Sequence, residues 1–201
     1  MSLTGWIAYL RENPGTSGAE LAEHLQADAE RLERVAKRFE RIGRPARREP
    51  VGLGALAERV VSYFRPRLPT LASPVTLALR ATGPGPTALG DPVLLEWAVE
   101  AVIKNAIDAL SGRGGRIDVA VDASARTARL SVRDDGPGVP AEVRAQLFEP
   151  GVSTKPGGWG IGLALARRIV EQQHGGRLAY RPAPLGEGAE FVLEFPLVSA
   201  T

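Results

Sequence analysis

Apolar residues recur at three- and four-residue steps from Leu21 through Leu25, Ala29, Leu32, Val35 and Ala36 to Phe39, with charged residues between them. That period predicts an amphipathic helix. Ser17 followed three residues later by Glu20 offers a capping box at its start, and Gly43 with Pro45 beyond supplies its stop. Ahead of it, Trp6, Ile7 and Leu10 form a short apolar patch on a helix that Pro14-Gly15 breaks. Two helices joined by a tight turn predict an antiparallel hairpin over residues 1–45. A second hairpin or the following domain could cover its stripe, and homodimerisation through the hairpin is the expectation.

Residues 43–52, GRPARREPVG, read as a linker, and the pattern changes after them. A helix is expected over 53–65 and a strand over 75–81, followed by a loop in TGPGPTALGDP. A long helix over 91–110 opens with Asp91 as N-cap and Pro92 at the first helical position. RIDVAVDA and ARLSVRDD alternate as two strands around a turn at Ser124. A short helix over 140–147, a glycine-rich segment, a helix over about 160–173 and strands at 176–181 and 189–195 complete the chain. Helices mixed with mostly antiparallel strands predict an α+β fold, a two-layer α/β sandwich, over residues 50–198 behind the N-terminal hairpin.

Composition narrows the chemistry. The 201 residues carry a formal net charge of +2 and 44 % hydrophobic residues, enough for a real core and no basic patch for nucleic acid. With no cysteine there is no disulfide framework or thiol chemistry, and the two histidines, His24 and His174, are too far apart for a zinc cluster. No apolar run of about 18 residues and no signal peptide is present. The expectation is a soluble, cytoplasmic portion whose membrane attachment, if any, lies in upstream segments.

Three segments are chemically unusual. In VEAVIKNAIDAL, Asn105 places an amide beside an apolar helical stripe. Such an amide needs a partner, and its oxygen is a hard ligand suited to Mg²⁺. In VRDDGPGVP, a strand ends at Asp134-Asp135 against Gly136, Pro137 and Gly138. A carboxylate held there can accept a hydrogen bond from an exocyclic amine, and the glycines let a flat base approach the backbone. In LFEPGVSTKPGGWGIGLALARR, Leu147 and Phe148 anchor a polar loop, Lys155 offers a cation, and Gly158, Gly160 and Gly162 lead into a helix N-terminus that favours anions. No Gly-Lys-Ser/Thr follows these glycines, and no strand directly precedes them, so neither a P-loop nor a dinucleotide fingerprint fits. Each segment alone has an ordinary reading: a solvent-facing Asn, an Asp-Gly turn, a flexible loop.

In this order, over about 60 residues, the three resemble the N, G1, F and G2 boxes of the ATP-binding domain shared by sensor histidine kinases, gyrase, Hsp90 and MutL. The resemblance implies the Bergerat-type ATP-binding fold, with ATP and Mg²⁺ as cofactors. It implies that Asn105 binds Mg²⁺ and Asp134 recognises adenine, with Gly136 and Gly138 lining the base pocket. By the same resemblance Gly158, Gly160 and Gly162 meet the phosphates, and the ATP-binding set further takes in Asp108, Phe148, Thr154, Lys155, Ile161 and Leu163. Residues from about 139 to 160 would form the lid.

The ATPase branch carries a general-base glutamate four residues before the Mg²⁺ asparagine, where this chain has Ala101. Glu100 next to it is rotated by about 100° round a helix. The Thr-Lys lid resembles nitrogen-regulation-type sensor kinases, and LQADAERLERVAKRFERIGRP resembles the second helix of their dimerisation hairpin. The family's phosphoaccepting histidine belongs on the first helix, ahead of this sequence; His24 lacks its acid-then-proline context and reads as a surface residue. His174, before Gly175-Gly176, reads as a helix-end cap. The expected function is transfer of the ATP γ-phosphate to a histidine outside this sequence and on to a response-regulator receiver domain, without self-labelling of this chain. The alternative is a regulatory nucleotide-binding module that transfers no phosphate to histidine.

Overall fold

The computed structural model divides the chain into two units, Met1–Pro45 and Ala46–Thr201. It describes Gln26 and residues 46–153, 158–183 and 188–198, so the hairpin expected over 1–45, with His24, lies outside the described residues, as do Thr154 and Lys155.

Within the second unit, β1 (Glu49–Gly52) runs into α1 (Leu53–Phe64), followed by β2 (Val75–Arg80), β3 (Thr87–Gly90) and α2 (Pro92–Ala109). Then come β4 (Gly115–Ala123), β5 (Thr127–Asp134), the one-turn α3 (Ala141–Arg144) and α4 (Gly162–Arg167). α4 widens into a π-type helix over Arg168–Gln173, and β6 (Arg177–Pro182) and β7 (Ala189–Pro196) close the unit. Five strands form one sheet in the order β2-β4-β5-β7-β6. Only β2 and β4 are parallel, with Leu77 opposite Ile117; the other neighbours are antiparallel.

The alternation along the strands decides the layers. On β5, Ala128, Leu130, Val132 and Asp134 are buried, whereas Arg129 and Ser131 are half-buried and Arg133 exposed. Ile117 and Val119 on β4 and Phe191, Leu193 and Phe195 on β7 continue the buried face. α1 and α2 pack on it, and the π-type helix packs on β6 and β7. α2 buries Leu94, Leu95, Ala98, Val99, Val102, Ile103 and Ala106, a stripe at three- and four-residue steps. This is the expected two-layer sandwich.

Two expectations need correction. The segments read as linker (43–52) and loop (82–92) each contain a strand: β1 and β3 pair antiparallel as a separate two-stranded sheet, with Val51 opposite Ala88. Proline and glycine crowd both segments, and each strand is only four residues long, too short for alternation to declare itself.

Phe191 is fully buried at the centre of β7 and meets Tyr180 at 5.7 Å and Phe148 at 6.3 Å between ring centroids. Phe191→Ala is expected to cost about 3–5 kcal/mol, a large part of a domain's total stability of about 5–15 kcal/mol. Urea unfolding followed by circular dichroism measures it.

Candidate functional site

β5 delivers Asp134 at its end, on the helix-facing side, 2 % exposed. Its Oδ1 accepts the Gly136 N–H at 2.9 Å, which turns the chain back at the strand end. The neighbouring carboxylate has a different task. Asp135 Oδ1 accepts the Arg116 N–H at 2.7 Å while its own N–H donates to the Arg116 carbonyl at 3.2 Å, extending the β4–β5 ladder by one step.

Backbone crowds closely around Asp134. A Cβ on Gly136 would stand 2.8 Å from Asp134 Oδ1, and one on Gly138, at φ +73, would stand 3.0 Å from the Gly188 carbonyl. Gly188, at φ +98, lies over the Asp134 carbonyl, where a Cβ would overlap the oxygen. Gly188 belongs to none of the three unusual segments; its only mark in the sequence is its place directly before the closing strand.

Asn105 sits half-buried in the last turns of α2, one turn beyond Ala101. That helical face points toward α4: a Cβ on Gly162 would stand 4.0 Å from the Ala101 Cβ. Asp108, one turn further, is held by Lys104 through both carboxylate oxygens, at 2.9 and 3.1 Å. With the Lys104 side chain 62 % exposed, this ion pair orients more than it stabilises.

The glycine-rich segment enters the described residues at Gly158, which is exposed, and Trp159, which is half-buried. Gly160, at φ +61, packs backbone against backbone: its carbonyl accepts the Gly151 N–H at 3.2 Å, and a Cβ there would stand 2.5 Å from the Val152 N. Residues 151 and 160 are thereby tied together at the base of the segment between them. Ile161 caps α4, Gly162 is its first residue and Leu163 is half-buried on its first turn. Phe148 packs edge-on to Phe191 beneath, with the Arg167 guanidinium 5.6 Å from its ring centroid on another side, so it is an apolar anchor in the structure as in the sequence.

His174 is 5 % exposed and uses both ring nitrogens. Nε2 accepts the Asp91 N–H at 2.9 Å, which leaves Nδ1 to carry the proton and donate to the Ile169 carbonyl at 2.7 Å. Burial pushes its pKa below the ordinary 6.5, partly opposed by the Ile169 carbonyl and the Asp91 carboxylate. Asp91 is itself the α2 N-cap, taking the Val93 and Leu94 N–H groups on Oδ1 and the Arg47 N–H on Oδ2.

A divalent cation carried by a nucleotide fits what is present. Among the described residues no group of three or more His, Cys, Asp or Glu could hold a metal by itself. Mg²⁺ keeps several waters and takes few protein ligands beside phosphate oxygens, so one amide oxygen such as that of Asn105 is a suitable donor. Among the described residues, no helix is long and apolar enough to cross a membrane.

Residues 90–199 match the family model of histidine kinase-, DNA gyrase B-, and HSP90-like ATPases. The C4-dicarboxylate transport sensor protein DctB of Rhizobium meliloti (strain 1021) is 31 % identical over 82 % of this chain and 27 % of its own length. The sensory histidine kinase/phosphatase NtrB of Escherichia coli O157:H7 is 30 % identical over 85 % of this chain. The chain spans 51 % of that protein, and less of the dicarboxylate sensor. Among solved structures, a mycobacterial sensor histidine kinase, MprB, superposes with a TM-score of 0.64 at 29 % identity, covering 76 % of this chain and 99 % of that one. Full-length ShkA in complex with AMPPNP gives 0.73 at 28 % identity, over 97 % of this chain and 42 % of that one.

Two outcomes are expected from this geometry. Gly188→Ala forces a positive φ and an overlap with the Asp134 carbonyl, so it should lower the thermal midpoint more than an alanine at the open Gly112, which also has a positive φ. The neutral His174 works in one direction only. Because its folded pKa lies below 6.5, the unfolded chain binds more protons. Its contribution is complete above about pH 6.5 and is lost as the pH falls through the folded value. Urea midpoints between pH 8 and 5 read that loss, and His174→Gln should reduce the slope.

Proposed function

Because the chain belongs to the histidine kinase-, DNA gyrase B-, and HSP90-like ATPases and carries a histidine-kinase catalytic ATP-binding domain, we propose that Mg²⁺-ATP binds between α2, the Asp134 strand end and the N-terminus of α4, and that its γ-phosphate goes to a histidine other than the two in this sequence. The observation that carries this reading is the buried Asp134 carboxylate, ringed by glycine backbone at the end of β5. In this assignment Asp134 accepts the adenine amine, and Gly136 and Gly138 let the base lie against the chain. Asn105 supplies an oxygen to Mg²⁺, which neutralises phosphate charge when bound. Gly158, Gly160, Ile161, Gly162 and Leu163 form the entrance to α4 that faces the phosphates, with Lys155 and Thr154 from the lid. Asp108 borders the Asn105 face, and Phe148 anchors the lid's near end. The AMPPNP complex of ShkA supports nucleotide binding at this fold.

The domain's work is positioning and charge neutralisation. Ala101 stands where the ATPase branch has its general-base glutamate. His174 cannot accept the phosphate, since its ring is buried with both nitrogens engaged. The proposed whole is a sensor kinase that dimerises through residues 1–45 and passes the phosphoryl group to a response-regulator receiver domain, its domain over residues 50–198 lying on the cytoplasmic side. The competing reading, a nucleotide-binding module without transfer, shares the site and differs only in the fate of the γ-phosphate.

Asp134→Asn should weaken ADP binding by about 1–3 kcal/mol, the loss from mispairing a buried polar group; titration calorimetry that finds equal affinity refutes the adenine assignment. Incubated with labelled ATP, the chain alone should take up no acid-labile label. Presented with a kinase hairpin bearing a phosphoaccepting histidine, it should label that hairpin, and a binding module would not.

A further inference from the structure

His174 joins the two helices that frame the proposed nucleotide site. On one side it takes the N–H at the head of α2, the helix that carries Asn105 at its far end. On the other it holds the Ile169 carbonyl in the π-type continuation of α4. The ring is buried and closely flanked. Phe195 stands edge-on at 6.5 Å, and Gly90 lies so close that a Cβ there would stand 2.6 Å from His174 Cδ2. We propose that His174 is a positioning residue for nucleotide binding, holding α2 and α4 at the separation the nucleotide needs only while its imidazole is neutral.

A proton on Nε2 would set an N–H against the Asp91 N–H, turning a 2.9 Å hydrogen bond into a repulsion that the packed ring cannot avoid by rotating in place. Among the described residues, two charged groups face the ring. The Asp91 carboxylate favours the protonated form, and Arg48 opposes it. Asp91 is already committed to three backbone N–H groups, from Arg47, Val93 and Leu94, and turning toward an imidazolium would uncap α2. Either response disturbs the head of α2. α2 is a single rod from Pro92 to Ala109, so a change at its head alters how Ala101 and Asn105 meet the start of α4. Linkage then requires reciprocity: a nucleotide that needs the assembled pair of helices must make His174 harder to protonate.

The proposal rests on the nucleotide reading above, and the test separates the two. The sequence has two histidines, so His24→Gln leaves His174 as the single imidazole in the full chain. Long-range proton–nitrogen correlation should show the Nδ1–H tautomer at pH 7.5. Titration with and without saturating MgADP should show the His174 pKa falling by at least about half a unit when ADP is bound, a roughly threefold linkage in affinity. An ADP-independent pKa in a chain that binds ADP overturns the proposal and leaves the nucleotide reading standing. Absence of ADP binding at pH 7.5 removes that reading, and the proposal with it. In His174→Gln, which keeps an acceptor for Asp91 but cannot titrate, the ratio of ADP affinities at pH 7.5 and 5.5 should shrink relative to the parent, by up to about threefold for a half-unit shift. The ionisation of ADP cancels in that comparison, and an unchanged ratio overturns the proposal. If the variant does not fold, the titration of the single imidazole decides alone.

Discussion

A carboxylate that is 2 % exposed must be hydrogen-bonded or it will neutralise. At Asp134 the strand end meets this demand with backbone: the Gly136 N–H binds Oδ1, and Gly138 and Gly188 fold their chains to within contact of the same turn. Three glycines are needed because any Cβ at these positions would strike the carboxylate, or a carbonyl beside it. The result is a polar group held at the end of a sheet with side-chain-free backbone around it, the feature on which the proposed base recognition rests. The ladder extended through Asp135, the approach of Gly188 just ahead of β7, and the helices over the buried face hold that end of β5 in place.

The same device recurs at the start of α4, where Gly160 lies backbone to backbone on Gly151 and Val152. Here the glycine requirement comes from chain-on-chain packing, a reason the motif did not announce. Residues 151 and 160 are pinned to each other by this contact. It also fixes Ile161 and Gly162, and with them the distance from α4 to Ala101. Under the proposed function, which is to place a phosphate in line, such fixed distances matter more than a reactive side chain.

Among the described residues, local patterns were readable in α2 and in the β4–β5 pair. The α2 stripe, Asp91 and Pro92 at its head, and the alternation of β4 and β5 follow from side-chain spacing, and the structure places them within a residue or two of expectation. The order of boxes led to the family, and the family match over residues 90–199 bears it out. What the sequence concealed is non-local. The parallel pairing of β2 with β4 leaves no mark in either strand, and β1 and β3 are too short and too rich in proline and glycine to look like strands. Gly188 looked like a loop residue because the atom it must avoid belongs to Asp134, more than fifty positions earlier.

His174 shows how a local reading can be right and incomplete. Glycines after it marked a helix end, and its Nδ1 does hold a late carbonyl of that helix, at Ile169. Its other nitrogen meets Asp91, 83 residues away, and no spacing rule reaches that far. Asp91 was chosen as a cap for its side chain, yet its backbone N–H makes the longer connection. Arg47, the second residue of the second unit, donates its N–H to the same carboxylate. One aspartate therefore ties the chain's entry into the domain, the head of the Asn105 helix and the tail of the glycine-rich helix into a single hydrogen-bonded junction. None of these bonds passes through a strand of the five-stranded layer, so the junction holds the two helices to each other independently of the sheet's own ladder.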